Sequence, residues 1–544
     1  MAVYRSDQAQ LTFGSESAPG AYPGMATSVT NGTGNSTLSS AFAAGSNKIS
    51  VASSSGITAG EDIKIGGASN TESELRRVEF VDSNDLYLDA PTAHYHASGA
   101  AVQVVTATTT TANEIYMNQI PGVYDTVEVP DLTPTIEPRY FLGTQSKRNF
   151  YAAYKGQQAF TGSVSGFVLL NGRPLRFPFG KVVTKPSAVT ARTYLSVDAR
   201  KGDVYVTVNA ATNLAVNDLI IIDYVASPVS TSVAEVRKIL AISSTTLQLD
   251  YPLTYAHTAA GSGTTQIQEV ATSGVTYAHH IFEQVDLDTV SWHVHMRDSG
   301  ETAANDFDRT YFGGKIGSAT LAADEGGMLN MSWDGVNFQG MKHNQMLGNS
   351  TSTSTRVPHA GVMQSITSSN VDFPTSNPYF FSQGSVTMFG VEVARVRSFN
   401  LSVANGEEPR YYIQRRQGEK RGPTEIREQR REYSLGVTLA LPDSQAQTAT
   451  GATLFKEFLT EGDFGSGMQG FNIVLSFTRG TNDSITITIP GEADGTAATG
   501  GNEQGAFFRS APHGITGDNP VQVDADILVR NAKIVVEDSL YYYP

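Results

Sequence analysis

The sequence predicts an all-β protein: a sandwich or barrel body, one short helix and two copies of a small β-module. Three observations carry that reading. Alternating or β-branched runs recur at residues 162–171, 289–296, 385–403, 434–441 and 484–490, separated by clusters of Gly, Asn, Asp and Pro. In the last of these, Ile485, Ile487 and Ile489 share one face and Ser484, Thr486 and Thr488 the other, the period of a half-buried strand. Helical patterning is confined to residues 453–459, where Leu454, Phe455, Phe458 and Leu459 form a stripe that Gly462 can close.

Composition bounds the function. The 544 residues are 40% hydrophobic and 17% charged, with 25 Phe and 23 Tyr, which is the composition of a folded chain of several domains. With 0 Cys there are no disulfides, thiolate zinc sites or cysteine nucleophiles. A formal charge of −15 argues against tight DNA binding, because duplex affinity comes mainly from phosphate neutralisation. The longest apolar run, Leu219–Ile222, is far short of a membrane span, and the first ten residues lack a signal-peptide core.

Along the chain, residues 1–45 are rich in Gly, Ser, Thr and Ala and read as an N-terminal arm, flexible or ordered only against a neighbour. An internal repeat follows. Glu74-Leu75-Arg76, then Leu86-Tyr87-Leu88-Asp89-Ala90-Pro91 and His96, matches Glu235-Val236-Arg237, then Leu247-Gln248-Leu249-Asp250-Tyr251-Pro252 and His257. Upstream, residues 59–65 parallel 215–221. The repeat defines modules at 46–106 and 194–270, each with room for about five strands. The body is then 107–193 and 271–350 as a first half and 351–544 as a second. Phe160–Val168 and residues 433–441 look alike, alternating strands with small or hydroxyl side chains on one face, so a duplicated sandwich is expected.

Chemistry-bearing constellations are sparse. His293 and His295 share one side of a strand and could ligate a metal with His279, His280, Asp286 or Asp288, but a polar strand face opposite Val290, Trp292, Val294 and Met296 is the simpler reading. Gly313-Gly314-Lys315 lacks the remainder of a P-loop and reads as a hairpin turn. Asp324-Glu325 and Glu407-Glu408 read as solvated turns rather than a glycosidase pair. Arg415, Arg416, Lys420, Arg421, Arg427, Arg430 and Arg431, interleaved with Glu419, Glu425 and Glu428, read as a charged loop reaching a neighbouring subunit. No catalytic residue, metal site or cofactor is expected.

A resemblance spans most of the body. Glu137-Pro138-Arg139-Tyr140-Phe141-Leu142-Gly143, Lys155-Gly156-Gln157-Gln158, Gly162-Ser163-Val164 and residues 170–180 resemble, in order, the major tail tube proteins of long-tailed phages. So do residues 311–316 with 319–321, the strand at 397–403, Arg431-Glu432-Tyr433, and Leu11-Thr12-Phe13-Gly14 with Pro19-Gly20. The resemblance implies a virion protein of the tail whose inner sheets join across three or six chains into rings, stacked as a conduit for the genome. It implies tape measure, terminator and tip proteins as partners, and only transient contact with DNA. The two modules resemble the surface modules of phage structural proteins. On this reading Thr161, Ser163, Ser165, Glu432, Ser434 and Thr438 are the lumen-facing candidates. A fibre, baseplate or decoration protein is the first alternative, and a carbohydrate-active enzyme the second.

Overall fold

The computed structural model describes residues 4–22, 29–66, 73–108, 117–130, 135–140, 150, 152–261, 266–271, 273–298, 307–343, 376–388, 391–392, 396–413, 422–440, 472–491, 505–510, 513–514 and 522–544. Two sheets pack face to face to make the body. The larger has twelve strands, eight of them along one path. In chain order those eight are β1 (Thr126–Glu128), β2 (Phe160–Val168), β3 (Phe307–Asp324), β4 (Asn330–Phe338), β5 (Val396–Ala404), β6 (Glu432–Ala440), β7 (Ala506–Ser510) and β8 (Gln522–Val529). Their spatial order is β7-β8-β6-β5-β3-β4-β2-β1.

That order contains the same unit twice. Read from one edge, the first four strands run β1-β2-β4-β3 and the next four β5-β6-β8-β7, an identical topology in each half of the body. The halves are joined by an antiparallel pair of β3 with β5, from Ser318 opposite Ala404 to Asp324 opposite Ser398. Strict alternation turns one face of every strand inward. Val164, Leu321, Trp333, Leu401, Leu435 and Ile527 are each fully buried and meet partners from the seven-stranded second sheet, among them Leu475, Ile487 and Ile534. Trp333 is the centre, with the rings of Phe13, Phe167 and Phe177 edge-on at 5.4, 5.5 and 6.2 Å.

The expected helix at residues 453–459 lies outside the described residues. The helical turn that is described, Arg176–Phe179, follows a 3-10 turn with Pro174 in its first positions and buries Phe177 and Phe179. It stops at Gly180, whose φ of 142° only glycine adopts readily and where a Cβ would meet the Phe282 carbonyl oxygen.

Part of the arm is body. Tyr4–Ser15 pairs with Val290–Asp298, and Leu11 and Phe13 enter the core. This differs from the expected arm, flexible or ordered only against a neighbour, because the apolar alternation of Leu11 and Phe13 is enough to seat one strand in the chain's own body. It also corrects the view of Val290–Asp298 as half-polar. Both faces are covered, so Ser291, His293 and His295 are buried, with Ser291 Oγ donating to Glu16 at 2.5 Å and His293 Nδ1 lying 3.2 Å from Thr310 Oγ1. Gly313-Gly314-Lys315 is no hairpin. It lies within β3, where Gly313 takes a φ of 67° and its N–H meets Glu16 at 2.7 Å.

Each module is a six-stranded sheet rather than five. The first comprises Val29–Thr37, Lys48–Ser50, Asp62–Ile65, Glu74–Asp82, Asp85–Leu88 and Ala101–Thr108; the second Val189–Thr193, Tyr205–Thr207, Leu219–Ile222, Glu235–Ser243, Thr246–Leu249 and Ile267–Val270. Numbered within each module, both sheets have the order 1-6-3-4-5-2. Each gains its extra strand ahead of the repeat, a polar edge strand that among the described residues pairs only with the last one. Ile65 stands opposite Glu74 and Ile222 opposite Glu235, so the upstream alignment slips by one residue and Asp223 matches Gly66. The repeated arginine ties each module down: Arg76 lies over the Tyr22 ring at 4.4 Å and Arg237 over Tyr542 at 5.0 Å. The modules also touch each other, through Arg200 on the Tyr95 ring at 3.9 Å and His94 Nδ1 on the Gly202 carbonyl at 3.2 Å.

A polar sheet face and its two open edges

The outward face of the eight-strand path is where the sequence candidates meet. Thr161, Ser163 and Ser165 on β2 and Glu432, Ser434 and Thr438 on β6 all point away from the core, because their neighbours Val164, Tyr433, Leu435 and Val437 are locked inside it. Cross-strand register continues the pattern. Ser332, Thr320, Ser402 and Ser434 form one row over four strands, with the Ser402 and Ser434 hydroxyls 2.7 Å apart. Thr161 Oγ1 donates to Asn337 Oδ1 at 2.8 Å, Ser163 Oγ to Glu128 at 3.1 Å and Thr438 Oγ1 to Asp524 at 2.9 Å.

The charges on this face are mostly negative. Glu128, Asp334, Glu432, Asp524 and Asp526 stand among the hydroxyls and amides. Lys315 shares the face at one end, but its ammonium is held by Glu428 at 2.7 Å, and Arg509 stands on the edge strand β7. Ordered hydroxyl and carboxylate groups hold water on such a surface, and few cations are free on it to grip a phosphate.

The arginine-rich segment divides. Arg415, Arg416, Lys420 and Arg421 lie outside the described residues. Arg427 is exposed and paired with Glu425 at 3.2 Å, and Arg430 with Glu432 at 3.5 Å. Arg431 is drawn inward: its Nε donates to Asn405 Oδ1 at 2.8 Å, and Glu283 and Glu428 lie 3.4 and 3.9 Å away. It therefore acts as a joint between the two sheets. Glu407 departs from the solvated turn expected of it. Neither carboxylate oxygen has a hydrogen-bond partner among the described residues, and burial, with Glu428 adding to it against Lys315 and Arg431, raises its pKa to about 8.

One feature escaped the sequence reading although its signal was present. Glu137-Pro138-Arg139-Tyr140 recurs as Glu408-Pro409-Arg410-Tyr411. Each copy starts a two-stranded ribbon placed between the first and second strands of its unit, Ile136–Arg139 with Ala152–Lys155 and Glu408–Arg410 with Glu425–Arg427. In each, the arginine turns back on the glutamate, at 2.6 and 2.7 Å.

The path ends on two strands, β1 and β7, that each pair on one side only among the described residues. Among these residues no group of three or more His, Asp or Glu is placed to hold a metal, and no helix is long and apolar enough to cross a membrane. No curated protein matches the chain. A family model described as phage tail tube protein matches residues 7–528, nearly the whole chain. The all-β body with its doubled sheet, matched from end to end by that model, belongs to the phage tail tube protein family, whose place is the tail of the virion.

Proposed function

We propose that three copies of this chain close side by side into a ring, that rings stack into the tube of a long-tailed phage, and that the polar sheet face lines the bore through which the genome passes. The observation that carries this is the repeated β1-β2-β4-β3 order. Its two copies follow one another head to tail, as neighbours in a ring do, and the β3–β5 pair is one such junction already made inside the chain. Repeating it between chains pairs β7 of one copy with β1 of the next and leaves neither edge of the eight-strand path open. Three double units then replace six single ones.

The electrostatics suit a conduit. DNA held by lysines and arginines would stick, since each neutralised phosphate adds affinity. A face of hydroxyls, amides and carboxylates repels phosphates over about 8 Å at physiological salt and keeps the genome hydrated and mobile. No chemical step is assigned to the chain. A tape measure protein within the bore, terminator and tip proteins at its ends, and the two modules carried on the outside complete the reading. Negative-stain microscopy of the purified protein tests it: hollow polymers of even bore are expected, and a preparation of discrete particles under all assembly conditions would overturn it.

A further inference from the structure

We infer that the first ribbon of one chain seats in an arginine-lined cleft on the second unit of its neighbour. This rests on the ring reading above and adds a specific contact to it. The template lies within the chain. The second ribbon and its flanks lie across the end of the first unit: Tyr411 Oη donates to the Gln158 carbonyl at 3.3 Å, Glu428 holds Lys315 on β3, and the Asn405 N–H donates to the Gly317 carbonyl at 2.8 Å. Gly422 lies so close that a Cβ there would be 2.9 Å from the Gln339 carbonyl and 3.0 Å from the Phe160 ring. The seat is thus the start of β2, the end of β4 and the middle of β3. Ile426, at its base, is 3% exposed.

The corresponding place on the second unit is the start of β6, the end of β8 and β7. There the structure has an open cleft of about 360 Å³ lined by Arg430, Arg431, Phe507, Arg509, Leu528 and Arg530. The register makes the correspondence explicit: Phe160 opposite Phe338 matches Tyr433 opposite Val529. The matching ribbon is equally open. Ile136, Tyr140, Phe150 and Tyr154 are 52, 67, 56 and 58% exposed, and no described side chain of its two strands is buried. Four apolar or aromatic side chains in water on a narrow ribbon are costly unless something covers them. Glu128 on the adjoining β1 brings a carboxylate of opposite charge toward the arginines. Pairing β1 of one chain with β7 of the next delivers the ribbon to this cleft, as the β5–β3 pair delivers the second ribbon to its seat.

Strand register places Phe150 where Pro423 stands, and Arg530 where Gln339 stands. The native chain has 0 Cys, so a cysteine pair reports cleanly. Phe150→Cys with Arg530→Cys, assembled under reducing conditions and then oxidised, should give chains cross-linked between copies, ending at the ring size, while either single variant gives none. A photo-crosslinking phenylalanine analogue at position 150 should map to residues 507–530 of another chain, which covers the case in which the cysteine pair hinders assembly. Tubes that form yet give no cross-link between these sites, or adducts that map elsewhere, would overturn the ribbon contact and leave the ring intact. Failure of the unmodified chain to form tubes counts against the ring reading instead.

Discussion

His257 stands between two carboxylates, with Nε2 2.7 Å from Glu235 and Nδ1 2.6 Å from Asp223. In the first module His96 meets Glu74 at 2.7 Å, and Gly66 takes the place of Asp223. Two copies of one module have thus kept the buried Glu–Arg–His group and differ in its outer partner.

This difference predicts an alkaline weakness of the second module. Burial disfavours the charged ring of His257, but its hydrogen bonds to Asp223 and Glu235 outweigh that and raise its pKa to about 9. A raised histidine stabilises fully below its unfolded value, near 6.5, and the contribution is lost as pH rises through 9. We expect the strands around Leu219–Ile222 to lose about 1–3 kcal/mol of protection between pH 6.5 and 9.5. Hydrogen exchange corrected for intrinsic rates reads this directly, and Asp223→Asn should flatten the decline. An unchanged profile in that variant would refute the assignment.

The module repeat was legible because its charged residues are identical and fixed in spacing. The outward set on β2 and β6 was legible for a different reason, since period-two alternation needs no partner to be read. Burial of Ser291, His293 and His295 was not, because the neighbouring strand Tyr4–Ser15 and the Glu16 that follows it come from the far end of the chain. The ribbon repeat was overlooked because its copies are separated by an entire module and differ in length, so only four residues align.

Phe13 predicts that the first strand is needed for folding as well as for assembly. Its ring is fully buried, 5.6 Å from Phe177 and 5.4 Å from Trp333. Phe13→Ala should cost about 3–5 kcal/mol, seen as a lower denaturant midpoint of the isolated chain. Removing residues 1–15 should likewise yield an unfolded or aggregated chain. A truncated chain that stays as stable as the whole would return this segment to the role of an arm.

The outward face predicts a transport defect without a folding defect. Thr161 and Ser165 are exposed and Ser434 half-buried on that face, so arginine there meets water rather than core. Thr161→Arg, Ser165→Arg and Ser434→Arg together should leave the thermal midpoint within a few degrees and tubes of normal length. Each added cation offers a phosphate contact, so genome release from particles carrying these tubes should slow, and more so at low salt. Release at the native rate in fully substituted tails would remove these residues from the bore.

Glu407 supplies a second pH dependence, of opposite charge type. A carboxyl raised to about 8 is neutral in the folded chain at pH 7 while its unfolded counterpart has ionised above about 4.5. Stability is therefore full below that lower value and drains away as pH climbs to about 8, beyond which the folded chain carries an unpaired buried charge. Glu407→Gln removes the ionisation while keeping the size, so it should stabilise the chain by about 1–3 kcal/mol at pH 8.5 and change little at pH 4.5. The group lies where Lys315, Glu428 and Arg431 clamp the second ribbon's base to the first unit, so the gain should be largest in exchange protection at Glu425–Arg427. Chemical unfolding at the two pH values measures the difference. Equal stabilisation at both would show that packing, rather than a suppressed carboxylate, sets the behaviour of this joint.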